Sequence, residues 1–193
     1  MKTAVVLLAS VFFFVLVYAG DTAVERGDKR NSPMQKETTH VDNQPALATL
    51  LTSYPWFDHV DGPKFAELQR DQFRSIGHWL FLPGAFSSFH KVKNNEEIWI
   101  AQSGCVVVHI LEPGGTHRTV KVGLNLEGGE QPIVTVPAGY WQAAEIPEGN
   151  PYAFGTNICA PAFLYSEFEI AKREDLLKEF PQHGDVIRHL TRE

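Results

Sequence analysis

The stretch GAFSSFHKVKNNEEIWIAQSG, residues 84–104, holds two short apolar runs separated by Asn94-Asn95. Side chains alternate across a strand. Lys91 and Lys93 belong in solvent, which puts Ser88, His90 and Val92 on the opposite, inward face. In the second run Glu97, Trp99 and Ala101 share a face. A turn at the asparagine pair predicts a hairpin, and a hairpin brings His90 and Glu97 near each other across the strands. A histidine and a carboxylate do not sit deep in a core without partners, so the pattern points to a lined cavity. A plainer arrangement uses the same residues: a bulge at the asparagines turns Glu97 outward, and His90 is a core histidine held by a backbone carbonyl.

Further along the chain, more short strand-like runs follow one another: GHWLFL before this stretch, then CVVVHIL, THRTVKVG, QPIVTV, QAAEI, YAFGTN and APAFLYSEF after it. Turn residues punctuate them, among them Pro113-Gly114-Gly115, Pro137-Ala138-Gly139 and Glu148-Gly149-Asn150. Many short strands at this spacing predict an all-β sandwich or barrel. Leu47, Leu50 and Leu51 at helical spacing predict a short helix before the strands. AKREDLLKEF, with Leu176, Leu177 and Phe180 on one face, predicts a closing helix.

The first residues read differently. Lys2 precedes an apolar run ending in Val17-Tyr18-Ala19, the pattern of a secretory signal cleaved after about Ala19; the alternative is a membrane anchor. Residues 20–45 are polar and poor in large apolar side chains, as in a disordered linker or short propeptide. Residues 46–193 form one domain of ordinary size. The formal charge is −6, and −7 once Lys2 leaves with the leader. No basic stripe appears, which argues against a nucleic-acid partner. The expected location is extracellular, with no membrane association after signal removal. There a disulfide between Cys105 and Cys159 is allowed; the alternative is two buried thiols behaving as small hydrophobes.

The motif spacing resembles that of the cupins. Their first motif is glycine, five residues, His-x-His, three or four residues, glutamate, six residues, glycine; here it maps onto Gly84, His90, Glu97 and Gly104, with Val92 in the second histidine slot. Their second motif, Pro-x-Gly, two residues, histidine, maps onto Pro137, Gly139 and Gln142, with glutamine in the histidine slot. The blocks SSFHKVKNNEEIW, VPAGYWQAA and CAPAFLYSEFEI most resemble the fifth cupin subfamily, long labelled a domain of unknown function. The resemblance covers about Leu47 to Pro181 and is weakest at YPWFDHVDGPKF. It implies a cupin-type double-stranded β-helix, or jelly roll, commonly a homodimer, with a pocket in the barrel mouth. The overall shape is similar to that of the sugar-nucleotide epimerases of rhamnose synthesis, but shape does not carry function.

Metal-binding cupins usually offer three histidines and a glutamate. This chain keeps His90 and Glu97, and Gln142 adds only a neutral amide oxygen, a poor donor for zinc or iron. The set His90, Glu97 and Gln142 therefore predicts a divalent ion (Zn, Mn, Fe or Ni) held weakly if at all. His109 is a candidate for a missing nitrogen; otherwise it is a rim or core histidine. Without a metal, Ser88, His90, Glu97, Trp99 and Gln142 line a site for a small polar or carbohydrate-like ligand. The alternative is an enzyme of isomerase, epimerase, lyase or metal-dependent oxygenase type in the same pocket.

Overall fold

The computed structural model describes residues 44–193. The leader at 1–19 and nearly all of the expected linker at 20–45 lie outside the described residues. Eleven strands are described: β1 (Phe57–Asp58), β2 (Lys64–Arg70), β3 (Ser75–Phe81), β4 (Phe86–Val92), β5 (Glu96–Ser103), β6 (Val106–Leu111), β7 (His117–Val122), β8 (Ile133–Val136), β9 (Trp141–Glu145), β10 (Ala153–Ala160) and β11 (Phe168–Ile170). Helix α1 (Leu47–Ser53) precedes them, and α2 (Arg173–Glu179) and α3 (Gly184–His189) follow.

The strands form two antiparallel sheets, ordered β1-β2-β3-β10-β5-β8 and β11-β4-β9-β6-β7. The chain repeatedly crosses from one sheet to the other, as a jelly roll requires. Between the sheets lies the main core, with Trp79, Phe81, Trp99, Val108 and Ile110. Alternation supplies the outer faces. Leu80 and Phe154 turn outward to receive Leu50 of α1. Phe89, Leu111 and Trp141 turn outward to receive Leu176, Phe180 and Ile187 of the C-terminal segment.

Three details depart from the expected strands. Residues 94–95 do not close a hairpin: β4 lies in the five-stranded sheet and β5 in the six-stranded one. The turn is a corner between sheets, because His90 pairs with Gln142 of β9, and Glu97 pairs with Val136 and Cys159. The expected last strand, APAFLYSEF, is mostly loop and a short 3₁₀ turn at Tyr165–Glu167, with pairing resumed only at Phe168. Pro161 has no N–H to donate to a ladder there. Strand β2, KFAELQR, was not anticipated; its outer half is exposed and lacks a clean apolar alternation.

Cys105 and Cys159 are both free and buried, so the disulfide allowed by the sequence is absent. Cys159 is the Cα partner of Glu97 at one end of β5, whereas Cys105 follows the other end of that strand. The six residue-to-residue steps from Glu97 to Ser103 span roughly 20 Å at ~3.3 Å each, against the ~4.4–6.8 Å between Cα atoms that a disulfide needs. Burial instead pushes the Cys105 thiol up to about 11, helped by the Glu130 carboxylate.

Candidate functional site

Strand β4 carries a bulge, and the bulge sets the site. Ser87 pairs with Ala144 and His90 with Gln142, so Ser88 and Phe89 together oppose the single residue Ala143. Such a bulge shifts the side-chain phase by one residue. Phe89 consequently packs outward beneath the C-terminal helices, while His90 still points between the sheets. Ser88, expected beside His90 in the pocket, does not line it: its hydroxyl receives a hydrogen bond from Arg192. Ser87 takes the place next to the imidazole, with Oγ 3.4 Å from His90 Nδ1.

His90 and Glu97 meet across the interior, from opposite sheets, with Nε2 and Oε2 3.7 Å apart. Glu97 is the hub of a buried network. Its Oε2 accepts from Gln142 Nε2 at 2.6 Å and its Oε1 from Asn157 Nδ2 at 2.7 Å. Gln142 Oε1 in turn accepts from the Trp99 indole N–H at 2.9 Å. The amide of Gln142 is thereby oriented from both ends, and the residue sits behind the pocket wall rather than in it.

A second histidine–carboxylate pair, missed from the sequence, completes the floor. The turn after β1 places His59 Nδ1 against Asp61 Oδ1, and Asp61 Oδ2 accepts from Ser87 Oγ and lies 3.7 Å from His90 Nδ1. Gly62, at φ 130°, lets this turn press onto β4: a Cβ there would lie 2.3 Å from the Phe86 carbonyl oxygen. The Asp61 carbonyl is fixed by Ser88 N–H at 2.8 Å and by Arg192 from the C-terminal end. The available signal was His59-x-Asp61 ahead of Gly62-Pro63, inside the block where the cupin resemblance was weakest. Asn157 was discoverable by alternation from Cys159.

Charge follows from this geometry. Burial works against an ionised Asp61, but the His59 hydrogen bond, the His90 charge and Ser87 outweigh it and hold the carboxyl below its ordinary value. Burial likewise works against a His90 imidazolium, but Glu97, Asp61 and the Ser88 carbonyl outweigh it and raise His90. Nδ1 of His90 lies 2.8 Å from the Ser88 carbonyl oxygen and donates to it, which aims Nε2 at Glu97.

These groups form the base of a cavity of about 80 Å³. That is below the ~300–1,000 Å³ of sites for drug-sized ligands. Phe57, Phe65, Phe163, Tyr165 and Phe168 wall it, with Trp79 and Trp99 deeper. Arg70 and Glu67 pair with each other at its edge. Trp79 is 2 % exposed, and its indole nitrogen is a buried polar atom with no hydrogen-bond partner among the described residues.

The residues do not fit a tightly held metal. Gln142 Oε1 accepts from Trp99, and it is the Nε2 donor that faces Glu97, the carboxylate beside His90. Val92 contributes no donor. Of the cupin motif set one imidazole and one carboxylate remain, and among the described residues no three His, Cys, Asp or Glu side chains are arranged to hold an ion. His109 cannot supply the missing nitrogen, because it lies on the other face of its sheet. There it meets Glu145 at 3.2 Å and His117 at 3.2 Å.

The profile of the family described as Cupin superfamily (DUF985) matches residues 32–171. No curated protein matches the chain. A solved Shewanella oneidensis protein is similar in fold, with a TM-score of 0.69 and 24% identity over 75% of this chain and 97% of its own. A hypothetical protein from Leishmania major is similar too, with a TM-score of 0.67 and 22% identity over 72% of this chain and 94% of its own. With the jelly roll, the Gly84–Gly104 motif and the profile match in agreement, the chain belongs to the DUF985 family of the cupin superfamily.

Proposed function

We propose that the chain binds a small polar ligand in the pocket at the His90–Glu97 pair, without a tightly held metal. The observation that carries this reading is the aromatic-walled cavity that opens over the buried His90–Glu97 pair. His90, Glu97 and Trp99 line the same space, joined by His59 and Asp61. Gln142 acts one step back, by orienting Glu97 and Trp99.

A second reading, an enzyme of isomerase, epimerase or lyase type, is favoured by the two histidine–carboxylate pairs. Asp61 at Nδ1 of His59 leaves Nε2 of that imidazole free to take a proton, while His90, held between two carboxylates, can stabilise a developing negative charge. Export by a leader cleaved near Ala19, a linker over 20–45 and pairing into a homodimer remain part of the proposal. They are read from the sequence and the cupin resemblance, and N-terminal sequencing and sedimentation of the secreted protein test them.

Native mass spectrometry with metal analysis, on protein purified from its secreting source, tests the main reading. The expected result is a retained small molecule and substoichiometric metal. His90→Ala and Glu97→Gln should abolish loading, and Gln142→Ala should weaken it. Stoichiometric zinc, manganese, iron or nickel bound at nanomolar affinity would overturn it.

A further inference from the structure

On the outer face of the five-stranded sheet, beneath the C-terminal segment, four histidines and one carboxylate form a chain. His109 of β6 lies 3.2 Å from Glu145 of β9 through Nε2, and 3.2 Å from Nε2 of His117 on β7 through Nδ1. His189 of α3 reaches the other oxygen of Glu145 at 2.7 Å. The His183 ring stands 5.3 Å from that of His117, and His183 Nε2 lies 2.9 Å from the Gly115 carbonyl oxygen. None of these side chains lines the pocket at His90.

The partners fix where the protons sit. A carboxylate and a carbonyl oxygen only accept, so Nε2 of His109, His183 and His189 each carries a hydrogen. The Nδ1 lone pair of neutral His109 then accepts from His117 Nε2–H. The two rings are within 9° of parallel, with centroids 5.3 Å apart and facing nitrogens 3.2 Å apart, the edge-to-edge arrangement of an N–H···N bond. One added proton is tolerated, because an imidazolium still donates to a neutral neighbour. A second puts N–H against N–H and sets two cations side by side, next to the His183 ring. Glu145 is already shared by His109 and His189, and among the described residues no other carboxylate lies within ion-pair reach of the four histidines. Glu112 pairs with Arg118, Asp185 with Arg188, and Glu179 accepts from Trp141. Burial holds His109 below the ordinary histidine value, with Glu145 offsetting only part of it; burial does the same to His117, where His109 and His183 add to it.

Burial also decides which contact gives way. Leu176 anchors α2 and Ile187 anchors α3, both fully buried. The 3₁₀ turn between them, Pro181–His183, buries no residue. Its side chains reach the β6–β7 turn through two donors, from Gln182 and His183, on the one Gly115 carbonyl.

We propose that His109 and His117 form an acid-sensing latch: the neutral pair lets the turn at Pro181–His183 close on the β6–β7 turn, and the doubly protonated pair drives His183 off Gly115 while α2 and α3 stay in place. Both histidines are lowered in the closed form, so the closed form is fully favoured above about pH 6.5 and loses ground as pH falls below it, the opposite direction to His90.

Amide hydrogen exchange of the full chain by NMR, corrected for intrinsic rates at pH 7.5 and pH 5, tests the latch. The reporters are the His183 and Gly115 amides, which donate to Phe180 and Glu112, with the Phe180 and Leu190 amides of α2 and α3 as references. Protection at His183 and Gly115 should fall at least tenfold on acidification, and at Phe180 and Leu190 less than twofold. His117→Gln keeps an N–H to give to His109 and carries no charge, on an edge strand at a half-buried position. It should cut the acid-induced loss at His183 to less than threefold, while exposed His189→Gln should leave that loss intact. Unchanged protection at His183 in the wild type at pH 5 would overturn the latch, whatever the variants do. So would an equal loss at Phe180 and Leu190, which marks general loosening, or a loss that persists in full in His117→Gln.

Discussion

Replacing Gln142 by leucine probes the network that substitutes for a metal set. Gln142 is 1 % exposed and serves two buried partners at once: it donates to Glu97 at 2.6 Å and accepts from Trp99 at 2.9 Å. Leucine is close in volume and leaves no large cavity, so the loss is almost wholly polar. The Trp99 N–H becomes a buried donor without a partner, about 1–3 kcal/mol, and Glu97 loses a hydrogen bond to a charged group, about 1.5–3 kcal/mol. Better burial of the aliphatic side chain offsets part of this. The expected destabilisation is about 2–5 kcal/mol, or roughly 5–15 °C in melting temperature for a domain of this size. Urea and thermal unfolding of the mature domain measure it. A cycle with Trp99→Phe isolates the indole: without that N–H, Gln142→Leu should cost about 1–2 kcal/mol less. Gln142→His should stay near wild type, because an imidazole offers an acceptor and a donor on separate nitrogens. A Gln142→Leu protein as stable as wild type, or a coupling energy near zero, would refute the network.

His90 has a raised folded value, so its contribution to stability is fully present below about pH 6.5 and is lost as pH rises through that folded value. His90→Gln should lack this slope, and unfolding free energies at pH 6 and 8 should show wild type gaining relative to the variant on the acid side. Both cysteines should titrate as free thiols after unfolding without reductant, and reductant should leave the melting temperature unchanged; Cys159, pushed strongly up by burial and by Glu97, should react slowest in the native protein. Restoring both missing ligands with Val92→His and Gln142→His should raise zinc or manganese affinity more than tenfold by isothermal titration, since imidazoles replace an aliphatic group and a committed amide.

Local pattern determined much of this protein. Alternation about Lys91 placed His90 inward, and alternation in EIWIAQ placed Glu97, Trp99 and Ala101 on one buried face. The glycine, proline and asparagine punctuation marked most strand ends, and Leu176 and Phe180 marked a helix that packs on a sheet. These features depend only on neighbours within a few residues. What lay beyond that range was decided by tertiary structure. A bulge is a property of two paired strands, so Ser87 rather than Ser88 faces the imidazole only because β9 has one residue where β4 has two. His90 and Glu97 meet across two sheets, not within a hairpin, because the Asn94-Asn95 corner sends the chain from one sheet to the other. His59 and Asp61 enter the site from a turn 29 residues or more before His90, pinned by Arg192 from the far end of the chain. The orientation of the Gln142 amide is set by Trp99 and Glu97 on a strand of the opposite sheet. Hydrogen-bond direction in a buried network depends on every member at once, and no single segment of sequence contains them all.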